Sequence, residues 1–182
     1  MSSLLVSPVL VRKASMRDIQ QLLDIINGYA AEGAMLPRTE FEMSENIRDF
    51  TVAALEDKVL GCAALHFYGP SVAELRSLAV DQSHQTRGIG KLLVEAVEAE
   101  ARQFDLDMMF AFTYVPHFFR KLGFEMVERG ELPLKAWKDC LRCPKFQRCD
   151  EIAMRKVLKV EPRLAAVQRE PELVALPVPV LP

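Results

Sequence analysis

Residues 78–101 read LAVDQSHQTRGIGKLLVEAVEAEA. An apolar, β-prone run stops at Asp81, a polar segment follows, and a helix begins within Gln85-Thr86-Arg87-Gly88-Ile89-Gly90. In that helix Ile89, Leu92, Leu93, Ala96, Val97 and Phe104 line one face, and Glu98 and Arg102 form an i, i+4 pair on another. A strand that leads straight into an amphipathic helix needs a sheet for the strand and a sheet face for the helix. Few architectures accept such a junction, and the rest of the chain narrows them further.

Val9–Ala14 reads as a first strand. Ser15 and Asp18 resemble a capping box, and Ile19, Leu22, Leu23, Ile26 and Tyr29 follow the spacing of one helix face. Gly33 and Pro37 end that helix, and Thr39 caps a short second one through about Phe50. Thr51–Leu55 and Val59–Phe67 flank Glu-Asp-Lys as a hairpin, and Ala73–Val80 adds a strand. After the long helix come a strand at Met108–Thr113, a short helix from Pro116 to Gly123, a strand at Phe124–Glu128 and a last strand at Ile152–Val157. The order β-αα-β-β-β-α-β-α-β-β predicts an α/β (α+β) fold, a mixed sheet with helices on its faces.

One domain, residues 1–158, accounts for this pattern. Residues 159–182 hold several of the eleven prolines and predict an extended or disordered tail. Net charge is −2, so nothing points to nucleic acid, and no apolar run is long enough to span a membrane. The apolar N-terminal patch precedes its basic residues and contains Pro8, unlike a signal peptide, so a cytoplasmic location is expected.

Unpaired N–H groups and the positive end of the dipole make a helix N-terminus an anion site. Gly88 and Gly90 let the backbone curl round a phosphate, and Arg87 and Lys91 add charge; a plain tight turn is the alternative. The dinucleotide motif fails because Leu93 stands where its third glycine belongs, and the Walker motif fails because Leu92 follows Lys91.

Gln85-Thr86-Arg87-Gly88-Ile89-Gly90 resembles the Gln/Arg-x-x-Gly-x-Gly/Ala signature of the GCN5-related N-acetyltransferases. It follows the strand ELRSLAVD, and the later FFRKLGFE resembles that family's second signature. The resemblance covers roughly residues 9–158 and implies a mixed central sheet of six to seven strands with helices on both faces. It implies acetyl-CoA as co-substrate, with the pyrophosphate on the amides of Gln85, Thr86, Arg87, Gly88, Ile89, Gly90 and Lys91. It also implies that pantetheine pairs like a strand with Leu78, Ala79 and Val80.

Finer stretches, among them IINGYAAEGAMLPRTEFEMSENIRDFTVA and ELPLKAWKDCLRCPKFQRCDEIAM, resemble short amino-acid N-acetyltransferases and the acetyltransferase domain of N-acetylglutamate synthase. That resemblance implies a small-molecule amino-acid partner, the α-amine of glutamate or glutamine, in the first step of arginine biosynthesis. A homodimer is common for such domains. Glu74 is the candidate base, acting through water; the alternative is a charge at a strand end. Arg38 in LPRT and Arg76 are candidate carboxylate ligands. By simple alternation Arg76 shares a sheet face with Glu74 and Leu78. His66 is a candidate to reach the acceptor or a structural histidine.

One position departs from the family. Many relatives carry an acid tyrosine four residues before the glycine of Leu-Gly-Phe, and Phe119 stands there. Tyr114, or less directly His117, is a candidate substitute, with a packed aromatic as the alternative reading of Tyr114; a CoA thiolate is a good leaving group near neutral pH, so an acid is not required. Cys140, Cys143 and Cys149 have partial zinc-ligand spacing but lack a clear fourth ligand, so reduced thiols and no metal are expected. Competing readings are a transferase for a polyamine, drug amine or protein N-terminus, and a non-catalytic acetyl-CoA-binding module.

Overall fold

A computed structural model describes residues 8–132, 141, 143, 145 and 148–159. The proline-rich tail beyond 159 and Cys140 lie outside the described residues. The elements are β1 (Leu10–Lys13), α1 (Ile19–Ala31), α2 (Glu40–Asn46), β2 (Phe50–Leu55), β3 (Lys58–Phe67), β4 (Val72–Val80), α3 (Ile89–Gln103), β5 (Met108–Thr113), α4 (Pro116–Lys121), β6 (Glu125–Met126) and β7 (Ile152–Val157). This is the order read from the sequence. The strands form one seven-stranded sheet, β1-β2-β3-β4-β5-β7-β6, in which only the β4–β5 pair is parallel.

Local signals explain the helix starts. Ser15 N donates to Asp18 Oδ2 at 2.7 Å, and Thr39 and Glu42 exchange capping-box bonds at 3.0 and 3.2 Å. Asp18 is buried, and the Arg12 guanidinium at 2.8 Å holds its carboxyl well below the usual range. The second helix is shorter than expected. It ends at Asn46, whose amide donates to Glu42 O at 2.7 Å, and a single 3₁₀ turn continues to Asp49.

Among the described residues the two larger buried clusters sandwich the sheet. Leu93, Val94 and Val97 of α3 pack with Leu60, Leu75 and Met109 on one face. Leu22 and Ile26 of α1 and Met43 of α2 pack with Val52, Cys62 and Ala64 on the other. The buried Cys62 thiol is pushed up to about 12 by desolvation, which leaves it protonated and inert. Among the described residues no helix is long and apolar enough to cross a membrane.

Two further expectations are corrected. The strand expected at Phe124–Glu128 contracts to Glu125–Met126, because Phe124 turns into the α3-side core. The alternation expected along β4 is broken by a bulge. Cys62 pairs with Ala79 and Ala64 with Arg76, so Ser77 and Leu78 together face Ala63 alone. Ser77 takes a left-handed φ of 53°. Before the bulge, Ala73 and Leu75 point to the α3 core; after it, Leu78 and Val80 do. Arg76 therefore shares a face with Glu74 but not with Leu78. Gly61 makes room beside the bulge, since a Cβ there would sit 2.8 Å from Ala79 O.

Candidate active site

The parallel β4–β5 ladder ends early. It joins Val72–Met108, Ala73–Met109 and Glu74–Phe110 and stops, although both strands continue. Past Glu74 they diverge, and the parting opens a cavity of about 550 Å³.

At one end of β4 lies the glycine turn. Asp81 accepts from Ser83 N at 3.0 Å, from the Ser83 hydroxyl and from His84 Nδ1 at 2.9 Å. These bonds, the Ser83 hydroxyl first, hold its carboxyl down at about 2. Thr86 and Gly88 then take left-handed φ angles of 64° and 81°. For a threonine that conformation is costly, and such strain concentrates at functional turns. Thr86, Arg87 and Gly88 are exposed, and the space where a Gly88 Cβ would project is open to 4 Å. Buried Ile89 anchors the turn to the α3 core. Leu92 N reaches Gly88 O at 3.1 Å, and the amides before it precede the first intrahelical bond. Exposed backbone, clear approach and the flanking Arg87 and Lys91 fit a pyrophosphate.

The cavity brings together Arg38, Glu74, Arg76, Leu78 and Tyr114 of the residues expected at the site. Glu74 Oε2 accepts from Tyr68 Oη at 3.1 Å. Arg38 sits on the loop after α1, its backbone clamped by the Asn27 amide, with bonds of 2.8 Å to its N–H and 3.0 Å to its carbonyl. Tyr114 Oη donates to Asp150 Oδ1 at 2.9 Å and accepts from Lys145 Nζ at 3.0 Å. Burial raises its pKa against the pull of Lys145, so the phenol stays protonated at neutral pH. Phe119 lines the same cavity, wedged edge-on between Phe118 and Phe124.

His66 is not among the lining residues. It pairs with Glu74 in the β3–β4 ladder, but its Nδ1 lies 2.7 Å from Asp49 Oδ2 and its ring meets Tyr68 edge-on. His117 is exposed on α4 and also lies outside the lining. Ala79 is buried in the α1-side core, while Val80 O is engaged by Tyr29.

Sequence reasoning missed several lining residues. Tyr29 reads as an apolar helix-face residue, yet its hydroxyl donates to Val80 O and accepts from Gln85 Nε2, both at 2.6 Å. Arg129 and Glu151 reach the cavity from the chain beyond β6. Arg129 donates to the carbonyls of Cys149 and Glu151, and burial raises the Glu151 carboxyl despite that cation. Lys145 lies 4.9 Å from the Tyr114 ring centroid. The Cys143 and Cys149 thiols are free and also line the cavity. Among the described residues no three His, Cys, Asp or Glu side chains are grouped to hold a metal.

A family model described as the acetyltransferase (GNAT) family matches residues 16–124. An uncharacterized N-acetyltransferase of Chlorobaculum tepidum is 43% identical over 148 residues, which is 81% of this chain and 96% of that protein. An amino-acid acetyltransferase of Aliivibrio fischeri is 32% identical over 150 residues, 81% of this chain; the match spans only 33% of that longer protein. Among solved structures, N-acetylglutamate synthase from Neisseria gonorrhoeae, complexed with coenzyme A and N-acetyl-glutamate, aligns with a TM-score of 0.76 at 25% identity. That alignment covers 84% of this chain and 35% of that one. A Mycobacterium tuberculosis protein in complex with CoA aligns with a TM-score of 0.71 at 26% identity, covering 82% of this chain and 99% of that one.

Proposed function

The chain belongs to the acetyltransferase (GNAT) family and is an N-acetyltransferase that uses acetyl-CoA, and from that premise we propose that its acceptor is the α-amine of an amino acid. L-Glutamate is the first candidate and glutamine the second, which would put the reaction at the entry to arginine biosynthesis. The observation that carries this reading is the charge of the cavity. Four cationic side chains, Arg38, Arg76, Arg129 and Lys145, line it against two carboxylates, Glu74 and Glu151. A dicarboxylic acceptor gains two charge-assisted contacts in such a place, and a polyamine would meet repulsion. The relatives named amino-acid acetyltransferase, and the synthase structure holding N-acetyl-glutamate, support the same acceptor over about a third of their length.

In this reading each residue has a defined task. Bound acetyl-CoA supplies the acetyl thioester. The turn Gln85–Lys91 and its first-turn amides hold the pyrophosphate. Past Glu74, β4 keeps its pairing with β3 but has no β5 partner on its other edge, and its backbone from Arg76 to Ala79 offers groups on that edge to the pantetheine arm and to the thioester oxygen. Arg38 and Arg76 orient the acceptor carboxylates, which aims the amine along β4. Glu74, held by the Tyr68 hydroxyl, takes the amine proton through water. Tyr114 lines the cavity with its proton in place at neutral pH and can return it to the departing thiolate.

The test is thiol release from acetyl-CoA by purified protein with glutamate, glutamine, aspartate, ornithine, spermidine or a lysine-bearing peptide. Turnover confined to glutamate or glutamine is the expected result. Preference for ornithine, spermidine or the peptide would overturn the acceptor and leave the donor chemistry standing.

A further inference from the structure

The C-terminal end of α1 touches both halves of the site. Toward the donor, the Tyr29 hydroxyl uses its donor hydrogen on Val80 O and accepts from Gln85 Nε2, at 2.6 Å each. Val80 ends β4 and Gln85 opens the pyrophosphate turn. Gln82 Nε2, between them, donates to Glu32 Oε1 at 2.9 Å, a second tie to the same helix end. Toward the acceptor, Ala34 N donates to Tyr29 O at 3.0 Å and Gly33 N to Ala30 O at 3.0 Å. The Asn27 side chain binds both backbone groups of Arg38. Thus residues 27–32 hold the start of the donor turn and both ends of the 33–38 cavity wall.

We propose that this helix end couples the two substrate sites, with Tyr29 as the positioning residue whose hydroxyl is the joint. The inference rests on reading the cavity as the acceptor site. A ligand gripping the 85–91 amides restrains Gln85. Through the phenol, that restraint reaches the turn that launches the 33–38 wall and presents Arg38. Both short ties of the Tyr29 side chain run to the donor side, and the backbone carbonyl of the same residue accepts from Ala34 N of the wall, so a displaced donor turn displaces the wall. Filling the donor turn orders the wall before the acceptor arrives, and coupling of this kind commonly changes affinity by about 5-fold or more.

Amide hydrogen exchange across residues 33–38, in the full chain with and without CoA, tests this. The readout is the ratio of rates with and without CoA, which general destabilisation does not imitate. In the unsubstituted protein, CoA should slow these amides by about 5-fold or more. Tyr29→Phe keeps the ring and should still bind CoA, but the slowing should vanish. Equal slowing in Tyr29→Phe, or none in the unsubstituted protein, overturns the coupling. Gln85→Leu removes the same bridge from an exposed side chain and keeps the backbone amide; at CoA concentrations that titration shows to saturate it, the slowing must vanish as well, and if Tyr29→Phe does not fold, this variant decides alone. No acceptor is present in the experiment. A wrong acceptor therefore leaves this result unchanged and shows only in the thiol-release panel.

Discussion

The proposed donor turn and the proposed acceptor cavity lie at neighbouring stretches of β4, yet they are built in opposite ways. The turn is one contiguous segment, Val80 to Lys91, and its working groups are backbone amides, left-handed φ angles and a helix end. The cavity is drawn from the loop after α1, the middle of β4, the end of β5, α4 and the chain beyond β6, and its working groups are side chains. A phosphate asks only for exposed N–H groups, which any sequence able to form the turn supplies. An amino acid asks for particular charges at particular distances, and those are replaceable one at a time. The difference teaches that the proposed donor site rests on backbone geometry, whereas the proposed acceptor site rests on single side chains.

Four substitutions would break or sharpen that contrast. Glu74→Gln should cost the most, a drop in kcat of roughly 100-fold or more with both KM values little changed, if the carboxylate is the base. Steady-state thiol release checks it, and a loss below about 3-fold would remove Glu74 from that role. Arg38→Ala should raise the glutamate KM by about 10- to 100-fold, the scale of one charge-assisted contact, and leave the acetyl-CoA KM alone. Equal losses for both substrates would erase the division between the two regions.

Gly88→Ala should do the reverse. A methyl at Gly88 has open space, so its cost is conformational: about 1–2 kcal/mol of stability for a left-handed alanine. Denaturant unfolding reads that cost, and the acetyl-CoA KM should rise while the glutamate KM holds. The smallest effect belongs to Asp81→Asn, a rise of roughly 2- to 5-fold in the acetyl-CoA KM as the turn loosens. It also carries a pH signature. The Asp81 carboxyl sits at about 2 in the folded protein against an ordinary 3.8. Its contribution to stability is therefore complete above about pH 4 and lost as pH falls toward 2. Melting curves between pH 4 and 2 should be flatter in Asp81→Asn than in the unsubstituted chain. Parallel curves would mean that the Ser83 and His84 bonds add nothing to the fold.

The order of strands and helices was legible because each element carries its own signal: Ser15-x-x-Asp18, Thr39-x-x-Glu42, Pro116 and the periodicity of α3 are local patterns, although Leu92 and Phe104, read on the apolar face of α3, are exposed. The helix entry at Gly88 was legible for the same reason. Arg38 and Glu74 could be named as candidates through the family resemblance. Their joint presence in one cavity depends on β4 and β5 parting after Glu74 and Phe110, which no local pattern announces. The bulge at Ser77 was hidden because ELRSLAVD alternates well enough on paper; only the pairing of Ala64 with Arg76 and Cys62 with Ala79 reveals the extra residue. Tyr29 was hidden because its ring fits the apolar stripe and its hydroxyl finds partners 51 and 56 positions away.

By itself, then, the amino-acid sequence determined the elements, their order and the glycine turn at the start of α3, since caps, periodicity and left-handed glycine act over a few residues. Tertiary structure alone decided the early end of the β4–β5 ladder, the switch of β4 from one core to the other, and the assembly of a cationic cavity from distant segments. Those features arise from strand register and packing, which are properties of pairs of elements and are written in neither partner alone.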